Sequence, residues 1–360
     1  MKSLLPVLND YIRSQEAVDL ALQFLIVLIA ILLFFVIILA IIVLGLRVKN
    51  NRRARFWNRV EERWTKHLYD YLSDDEPEWT IPIQKKERLY FLQFLLRMTY
   101  RLQGQEREKL VQLAQPYLAP LVKRTTHSSA EVRARAIQTL GVFGLPQYDE
   151  AILKALEDSS PVVSMLAART LANTRNPKYC PSILSILHRF SFWSMNYLSS
   201  MLTAFGPDII PDLEKTYGNP REPVRVRIAC CEALRELNSL TASPIAEAVI
   251  REDADPDLTA ASLRLLKETG TDRQADVVRQ LLDSDHFILR AHAISALAAL
   301  GDERDFPRLE AALNDNSNWV AIHAARALKA LGGEAILEKI SHSAHPRAMM
   351  ARQQLRELEV

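Results

Sequence analysis

The first pattern along the chain is an unbroken apolar run near the N terminus. From Leu20 to Leu46 there is no charged residue, and Gln23 is the only strongly polar one. The stretch from Phe24 to Leu46 would span about 35 Å as a helix, enough to cross a hydrocarbon core about 30 Å thick. A buried helix of a soluble protein would carry a polar stripe, and this run has none. We therefore predict a single transmembrane helix over residues 20–46.

The flanks of this run predict an uncleaved anchor and its orientation. A cleaved signal peptide is the competing explanation, but its apolar region would be shorter and a small-residue cleavage site would follow. Residues 47–60 instead carry six basic residues and no acidic one, whereas residues 1–19 carry two basic and three acidic ones. The positive-inside rule then places the short 1–19 segment outside and the C-terminal part in the cytoplasm, and we expect a bacterial inner membrane.

The basic cluster after the run also predicts contact with the lipid bilayer. Trp57 and Trp64 accompany it and are typical of an interfacial anchor, although a solvated basic helix is the simpler alternative. Residues 47–82 are interpreted as a basic juxtamembrane helix and linker. The residues predicted at the membrane interface are Arg47, Lys49, Arg52, Arg53, Arg55 and Trp57.

Residues 83–127 have a helical pattern without a clear repeat. We predict helices over about 84–102 and 106–123, separated at Gly104, which form an atypical capping pair at the start of an array. Pro116 and Pro120 are expected to interrupt the second helix.

From Ser128 onward the apolar pattern recurs every 31 to 32 residues. Each copy has an apolar residue, a small residue and a leucine at four-residue spacing, which places them on one face of a helix. A second apolar helix follows, so each unit is a helix pair too small to bury its own apolar face, and stacking builds a continuous core. The repeated leucines are Leu140, Leu171, Leu202, Leu234, Leu266, Leu297 and Leu328.

These repeats resemble the HEAT family in its short, phycobilisome-lyase-like form. The resemblance covers residues 128–360 and is clearest in Val132-Arg133…Ala136…Leu140 and Leu289-Arg290…Ala293…Leu297. It implies an all-α protein in which the transmembrane helix is followed by an α-solenoid, with the Val-Arg helix on the concave surface. It also implies that Arg133, Arg227 and Arg290 brace the joints between repeats.

Composition and charge narrow the function classes. The 45 Lys+Arg and 43 Asp+Glu residues nearly balance, which argues against nucleic acid as a partner. Three cysteines without a CxxC pair predict neither a disulfide framework nor a zinc knuckle, and they suit a reducing compartment. The chain has no nucleophile-elbow, phosphate-loop or dinucleotide-binding motif. We expect no enzyme activity, no catalytic residues and no cofactor.

Histidines supply the rival hypothesis of a metal-binding or enzymatic protein. His292 and His323 occupy the same position in successive repeats, so stacking could bring them to one metal ion. Some HEAT-like hydroxylases hold a di-iron site with His-Glu dinucleotides, but this chain has no such dinucleotide. We therefore favour surface packing for the pair and predict no metal site.

The third repeat departs from the pattern and suggests a docking site. Ser194 and Leu198 stand where an apolar and a small residue are expected, and aromatic residues replace the usual polar joint. Either these aromatics pack inward or they form an exposed patch for a partner. Phe287 and Trp319 are aromatic at later joints. The residues proposed to bind a partner are Phe190, Phe192, Trp193, Tyr197, Arg264 and Arg326.

The resulting hypothesis is a membrane-anchored cytoplasmic scaffold that holds a partner protein through its solenoid. The expected partner is a membrane-associated enzyme or a signalling protein, for example within an assembly that synthesises polysaccharide.

Overall fold

The computed structural model describes residues 5–73, 78–252 and 255–356 of the 360-residue chain, and these residues contain helices and no strand. The prediction of an all-α protein is confirmed. The first three helices are α1 (Leu5–Ser73), α2 (Arg88–Thr99) and α3 (Gly104–Val122). Two compact units divide the chain. One comprises the described residues up to 94 together with 103–113, and the other comprises 95–102 together with the described residues from 114 onward.

In the first unit, α1 continues without a break from the apolar run through the basic segment to Ser73. Its last turns are amphipathic, and Val60, Trp64, Leu68 and Tyr71 are buried there. The ring of Trp64 packs edge-on against Phe91 of α2, with ring centroids 5.1 Å apart. The expectation that Trp64 anchors the membrane interface is therefore wrong, because its side chain belongs to this aromatic core.

The prediction that two prolines interrupt α3 is also wrong. The helix runs through Pro116 and Pro120 instead of being interrupted by them. Each proline removes one backbone hydrogen bond, but the two lie four residues apart on the same exposed face. Water can satisfy the carbonyl oxygens left unpaired there, so the cost is small enough for the helix to continue.

The second unit contains a regular array of helix pairs, which we divide into two rows. Row A contains the seven helices with the repeated leucine, followed by α18: α4 (Ala130–Phe143), α6 (Pro161–Asn173), α8 (Met195–Thr203), α10 (Val224–Glu236), α12 (Pro256–Thr269), α14 (Phe287–Leu300), α16 (Asn318–Ala330) and α18 (Ala348–Arg356). Row B contains the helices between them: α5 (Asp149–Lys154), α7 (Cys180–Ile186), α9 (Ile210–Tyr217), α11 (Ser243–Glu252), α13 (Ala275–Gln280), α15 (Phe306–Ala312) and α17 (Glu334–Ser341).

Each row A helix packs against the next, from α4 to α18, and the row B helices α9, α11, α13, α15 and α17 pack against the row A helix that follows. All seven repeated leucines have no exposed surface. The small residues four positions before them are buried as well, for example Ala167, Ser262 and Ala293. The sequence period and its register are therefore confirmed, and the core is a continuous strip between the two rows.

Short 3-10 turns precede six of the row B helices, from Pro146–Tyr148 to Glu303–Asp305. Proline begins three of these turns, where its missing N–H costs no hydrogen bond. At Asn176 and Asp302 the side chain accepts a backbone N–H of the turn. These capped turns reverse the chain between a row A helix and the row B helix that follows.

Candidate functional site

The aromatic joint of the third repeat is divided between core and surface. Phe190 lies at the end of a 3-10 turn and is completely buried, so it follows the packing alternative and cannot present its ring to a partner. Phe192 is 92% exposed. Trp193 is half-buried, and its ring meets Phe190 edge-on with centroids 5.7 Å apart. The prediction that Phe190 binds a partner is therefore wrong, whereas Phe192 and part of Trp193 face solvent.

Tyr197 lies in the first turn of α8 and is partly buried. Its hydroxyl accepts a hydrogen bond from Arg169 Nη1 at 3.2 Å, and the guanidinium carbon of Arg169 lies 5.4 Å from the ring centroid. With Asn173, Asn196 and Ser200, these residues line an open cleft between α6 and α8. The third repeat thus combines an exposed aromatic tip with a cleft of mixed polar and apolar lining beside it.

Other exposed apolar side chains lie at the same end of row A helices. We call this set the apolar edge; its members are Val162, Phe192, Phe287, Ile288 and Trp319. Val162, Ile288 and Trp319 each come directly before the repeated apolar core position, at equivalent places in their repeats. Val162 and Ile288 were not recognised in the sequence, where a single valine or isoleucine beside a buried one gives no signal.

The Val-Arg arginines brace the joints, as the family resemblance implied. Arg133 donates from Nε and Nη2 to the two carboxylate oxygens of Asp158, both at 2.7 Å. Arg290 binds Asp315 in the same way at 2.7 and 2.9 Å. Hydrogen bonding to the guanidinium lowers the pKa of Asp158 and of Asp315. Arg227 is buried and donates to the backbone oxygen of Tyr217.

A further brace was not foreseen. Arg279 of α13 binds both carboxylate oxygens of the buried Asp305, at 2.7 and 2.9 Å. This pair joins α13 to the 3-10 turn that precedes α15, whereas the Val-Arg pairs start from row A. No sequence pattern indicates it, because the arginine lies outside the repeated Val-Arg position.

A charge ladder crosses the row A helices α10 and α12. We use this name for Glu232, Arg235, Arg264 and Glu268. The buried carboxylate of Glu232 accepts from Arg264 at 2.5 Å and from Arg235 at 2.9 Å, and Arg235 also donates to Glu268 at 2.8 Å. Arg264, predicted to bind a partner, is thus engaged inside the ladder, whereas Arg326 of α16 is exposed.

His292 and His323 extend this polar line onto α14 and α16. The His292 Nε2 atom lies 3.4 Å from Arg264 Nη1. Burial, followed by the positive charge of Arg264, lowers the pKa of His292 to about 4. Burial, Arg326 and Lys267 lower the pKa of His323. The cations around the pair disfavour a metal ion, and no group of three or more His, Cys, Asp or Glu side chains suited to a metal occurs among the described residues.

Comparison with known proteins identifies the type of repeat. Residues 118–191 and 243–329 match the family model of HEAT repeats. These segments are HEAT repeats. The resemblance inferred from the Val-Arg helices is confirmed, and the second unit is a HEAT-like α-solenoid. No curated protein sequence matches the chain at a significant level.

Several solved structures are similar to this chain at low identity. The karyopherin Kap121p, bound to the extreme C terminus of the protein phosphatase Cdc14p, is 13% identical over 76% of this chain with a TM-score of 0.48. The CpcE–CpcF complex of phycocyanin lyase from Nostoc sp. PCC7120 is 19% identical over 65% of this chain and 85% of that one, with a TM-score of 0.30. Human deoxyhypusine hydroxylase is 18% identical over 68% of this chain and 94% of that one, also with a TM-score of 0.30. The chain spans 38% of the karyopherin, and all three likenesses concern the fold alone.

Among the described residues before the HEAT solenoid, one helix is a candidate membrane span. Within the part of α1 from Ile31 to Ser73, a window of mean hydropathy 3.1 has no buried residue. Length and composition qualify this helix to cross a membrane, and a signal sequence near the N terminus would pass the same criteria.

The residues predicted at the membrane interface follow this window on the same helix. Arg47, Lys49, Arg52 and Arg55 are exposed. The side chain of Arg53 lies outside the described residues. Trp57 is half-buried because its ring stacks on Tyr90, with centroids 3.5 Å apart and planes 15° apart. Trp57 therefore has a packing role within the first unit, and only part of its surface is available to lipid.

Proposed function

We propose that the protein is a membrane-anchored scaffold that holds a partner protein on its HEAT solenoid at the cytoplasmic face of a bacterial inner membrane. The observation that carries this proposal is the apolar edge. Phe192 and Trp319 are large aromatics that face solvent at this edge, 92% and 56% exposed. Exposed aromatics of this kind concentrate binding energy when a partner buries them. The solenoid itself is a binding scaffold that needs no catalytic group.

The anchor supports the location. The apolar part of α1 has the length of a span, and six basic residues without an acidic one follow it. The proposal extends to a partner that is a membrane enzyme or signalling protein, for example in polysaccharide synthesis, because a membrane anchor confines the solenoid to the neighbourhood of such proteins. It assigns the protein no enzymatic activity.

The partner test uses the full-length protein in its native membranes. A crosslinking pull-down should recover a specific partner with the wild-type chain and lose it with Phe192→Ser combined with Trp193→Ser. Leu240→Ser is the matched control, since Leu240 is an exposed apolar side chain at a different joint. Equal recovery with the double variant and the control would remove the third repeat from the docking surface. A wild-type chain that captures nothing above background would overturn the scaffold proposal.

The topology test relies on the native cysteines reacting slowly with a thiol reagent. Cys180, Cys230 and Cys231 are all buried. In Ser3→Cys or Ser343→Cys variants, a membrane-impermeant maleimide should therefore label the new thiol first. We expect position 3 to react in intact cells made permeable at the outer membrane, and position 343 only after lysis. Reaction of position 343 in intact cells would overturn the cytoplasmic placement.

A further inference from the structure

The end of the HEAT solenoid has a second surface, in which cationic and aromatic groups lie together. On α16, Trp319 and His323 lie one turn apart on the same face, with ring centroids 5.1 Å apart. Trp319 is 56% exposed. On α14, Ile288 and His292 occupy the equivalent positions of the preceding repeat, so stacking of the two helices continues the same strip. We call Lys267, His292, Trp319, His323 and Arg326 the basic-aromatic patch.

The charges of this patch are not balanced. Lys267 and Arg326 are exposed, and neither forms an ion pair within the described part of the chain. Helices α14 and α16 contain no aspartate or glutamate. Such a surface has a local positive potential in a protein whose overall charge is close to neutral.

The neighbouring carboxylates do not cancel that potential. Glu232 and Glu268 are already bound by Arg264 and Arg235 in the charge ladder. Asp257 lies at the other end of α12 from Lys267, about 15 Å along the helix axis at 1.5 Å per residue. After burial, the charges of Arg326 and Lys267 lower the pKa of His323, so the fields of both cations reach this face.

We propose that the basic-aromatic patch binds an acidic peptide segment of the partner protein, with carboxylates against Lys267 and Arg326 and an apolar side chain against Trp319. This inference rests on the proposed function and specifies the chemistry of the partner. Charge complementarity selects the occupant, because the two unpaired cations Lys267 and Arg326 act on His323, one turn from the exposed indole of Trp319. The patch extends over the three row A helices α12, α14 and α16, a length that suits a peptide segment lying across them.

An anionic lipid surface fits the same face less well. Exposed Asp283 and Asp285 lie close in sequence to Phe287 and Ile288 on the apolar edge. Docking that edge onto anionic headgroups would bring these carboxylates to the same surface, where they would be repelled. A peptide can be narrow enough to follow the patch and avoid them.

The test uses the full-length protein in phosphatidylcholine nanodiscs. The probe is a fluorescent synthetic peptide that alternates glutamate and leucine, and the control probe has glutamine in place of glutamate. We expect the acidic peptide to bind with an affinity that falls with rising salt, and the glutamine peptide to bind at least about tenfold more weakly.

Variants then locate the binding. Lys267→Glu combined with Arg326→Glu should weaken the acidic peptide by about tenfold or more, and Trp319→Ser should weaken it separately. Arg273→Glu combined with Arg308→Glu is the matched control, because it makes the same charge change at exposed sites outside row A. If the control pair loses as much affinity for the acidic peptide, the attraction is nonspecific and the proposal is overturned. Absence of peptide binding by the wild type would also overturn it. Phosphatidylserine vesicles are the last control. If they displace the peptide from the wild type and fail to bind the Lys267→Glu and Arg326→Glu variant, the patch binds lipid and the peptide proposal is overturned.

The partner pull-down separates this inference from the proposed function. If the Lys267→Glu and Arg326→Glu variant still captures the native partner at the wild-type level, the patch is not the docking site although the scaffold function stands. If the wild-type chain binds the acidic peptide at the patch but captures no partner from membranes, the scaffold function fails while the site itself stands.

Discussion

The brace between Arg290 and Asp315 offers the sharpest test of how the solenoid is held together. Removing the carboxylate in Asp315→Ala breaks two hydrogen bonds from the guanidinium, at 2.7 and 2.9 Å. It also removes the acceptor for the backbone N–H of Ser317 at the start of α16. The side chains of the pair are only 19% and 13% exposed, so water compensates poorly for the loss.

The expected cost follows from these contacts. Hydrogen bonds to charged groups contribute about 1.5–3 kcal/mol each, but Arg290 keeps its bonds to the carbonyl oxygens of Ser284 and Asp285. We therefore expect a loss of about 2–4 kcal/mol in the local opening free energy. Glu131→Ala is the matched control, because it breaks the Arg135–Glu131 pair, whose side chains are 67% and 70% exposed. An exposed pair of this kind contributes about 0.3–0.5 kcal/mol.

Hydrogen exchange followed by mass spectrometry is the appropriate assay, since a repeat array can open locally and a single melting temperature would average over it. Amides of α14 to α16 should exchange roughly 30- to 1,000-fold faster in Asp315→Ala, at about 1.4 kcal/mol per tenfold. Asp315→Asn should lie between, because its amide oxygen can still accept from Ser317. Arg290 lowers the pKa of Asp315, so the contribution of the pair should be complete above about pH 4 and decline below it. Exchange in Asp315→Ala no faster than in Glu131→Ala would refute the bracing role.

Two further predictions concern the core and the histidines. Leu297→Asp places an unpaired charge at a site with no exposed surface, and it should cost about 3–5 kcal/mol or more by hydrogen exchange in α14, whereas Ala299→Asp on the exposed face should change little. If both variants behave alike, the repeat register is wrong. The pKa of His292 is lowered to about 4, mainly by burial and then by Arg264 and His323, with Lys267 adding to the effect and Glu232 opposing it. Stability against urea should therefore decline as pH falls from about 6.5 towards 4, because the unfolded state binds the proton more readily. His292→Gln should reduce this decline in stability, and His286→Gln, at an exposed site, should not. Identical pH profiles of stability for the two variants would contradict the burial of His292.

The repeated leucines and the Val-Arg braces could be predicted because both depend on a period of 31 to 32 residues. A residue that recurs at one helical position meets the same neighbours in each repeat, so its burial follows from the pattern. Leu140 and Arg133 therefore occupy the places that the sequence assigned to them.

Features that depend on one particular neighbour could not be predicted in this way. Phe190 and Phe192 are two residues apart in the same aromatic run, yet one is buried and the other faces solvent, because a 3-10 turn ends between them. Trp64 resembles an interfacial tryptophan until α2 is known to cover it. The Arg279–Asp305 brace joins residues 26 positions apart without any recurring motif.

The unbroken course of α1 has a mechanical consequence. A continuous α-helix resists twisting and bending over a few turns, so it acts as a stiff rod rather than a tether. From Leu46, where the apolar run ends, to Trp64 in the aromatic core is about 27 Å at 1.5 Å per residue. If the apolar run lies in a bilayer, the rod fixes the height of that core above the headgroups. A rotation of the embedded part about its axis would then turn Trp64 by a similar angle, so torque generated among lipids would reach the packed residues 18 positions away.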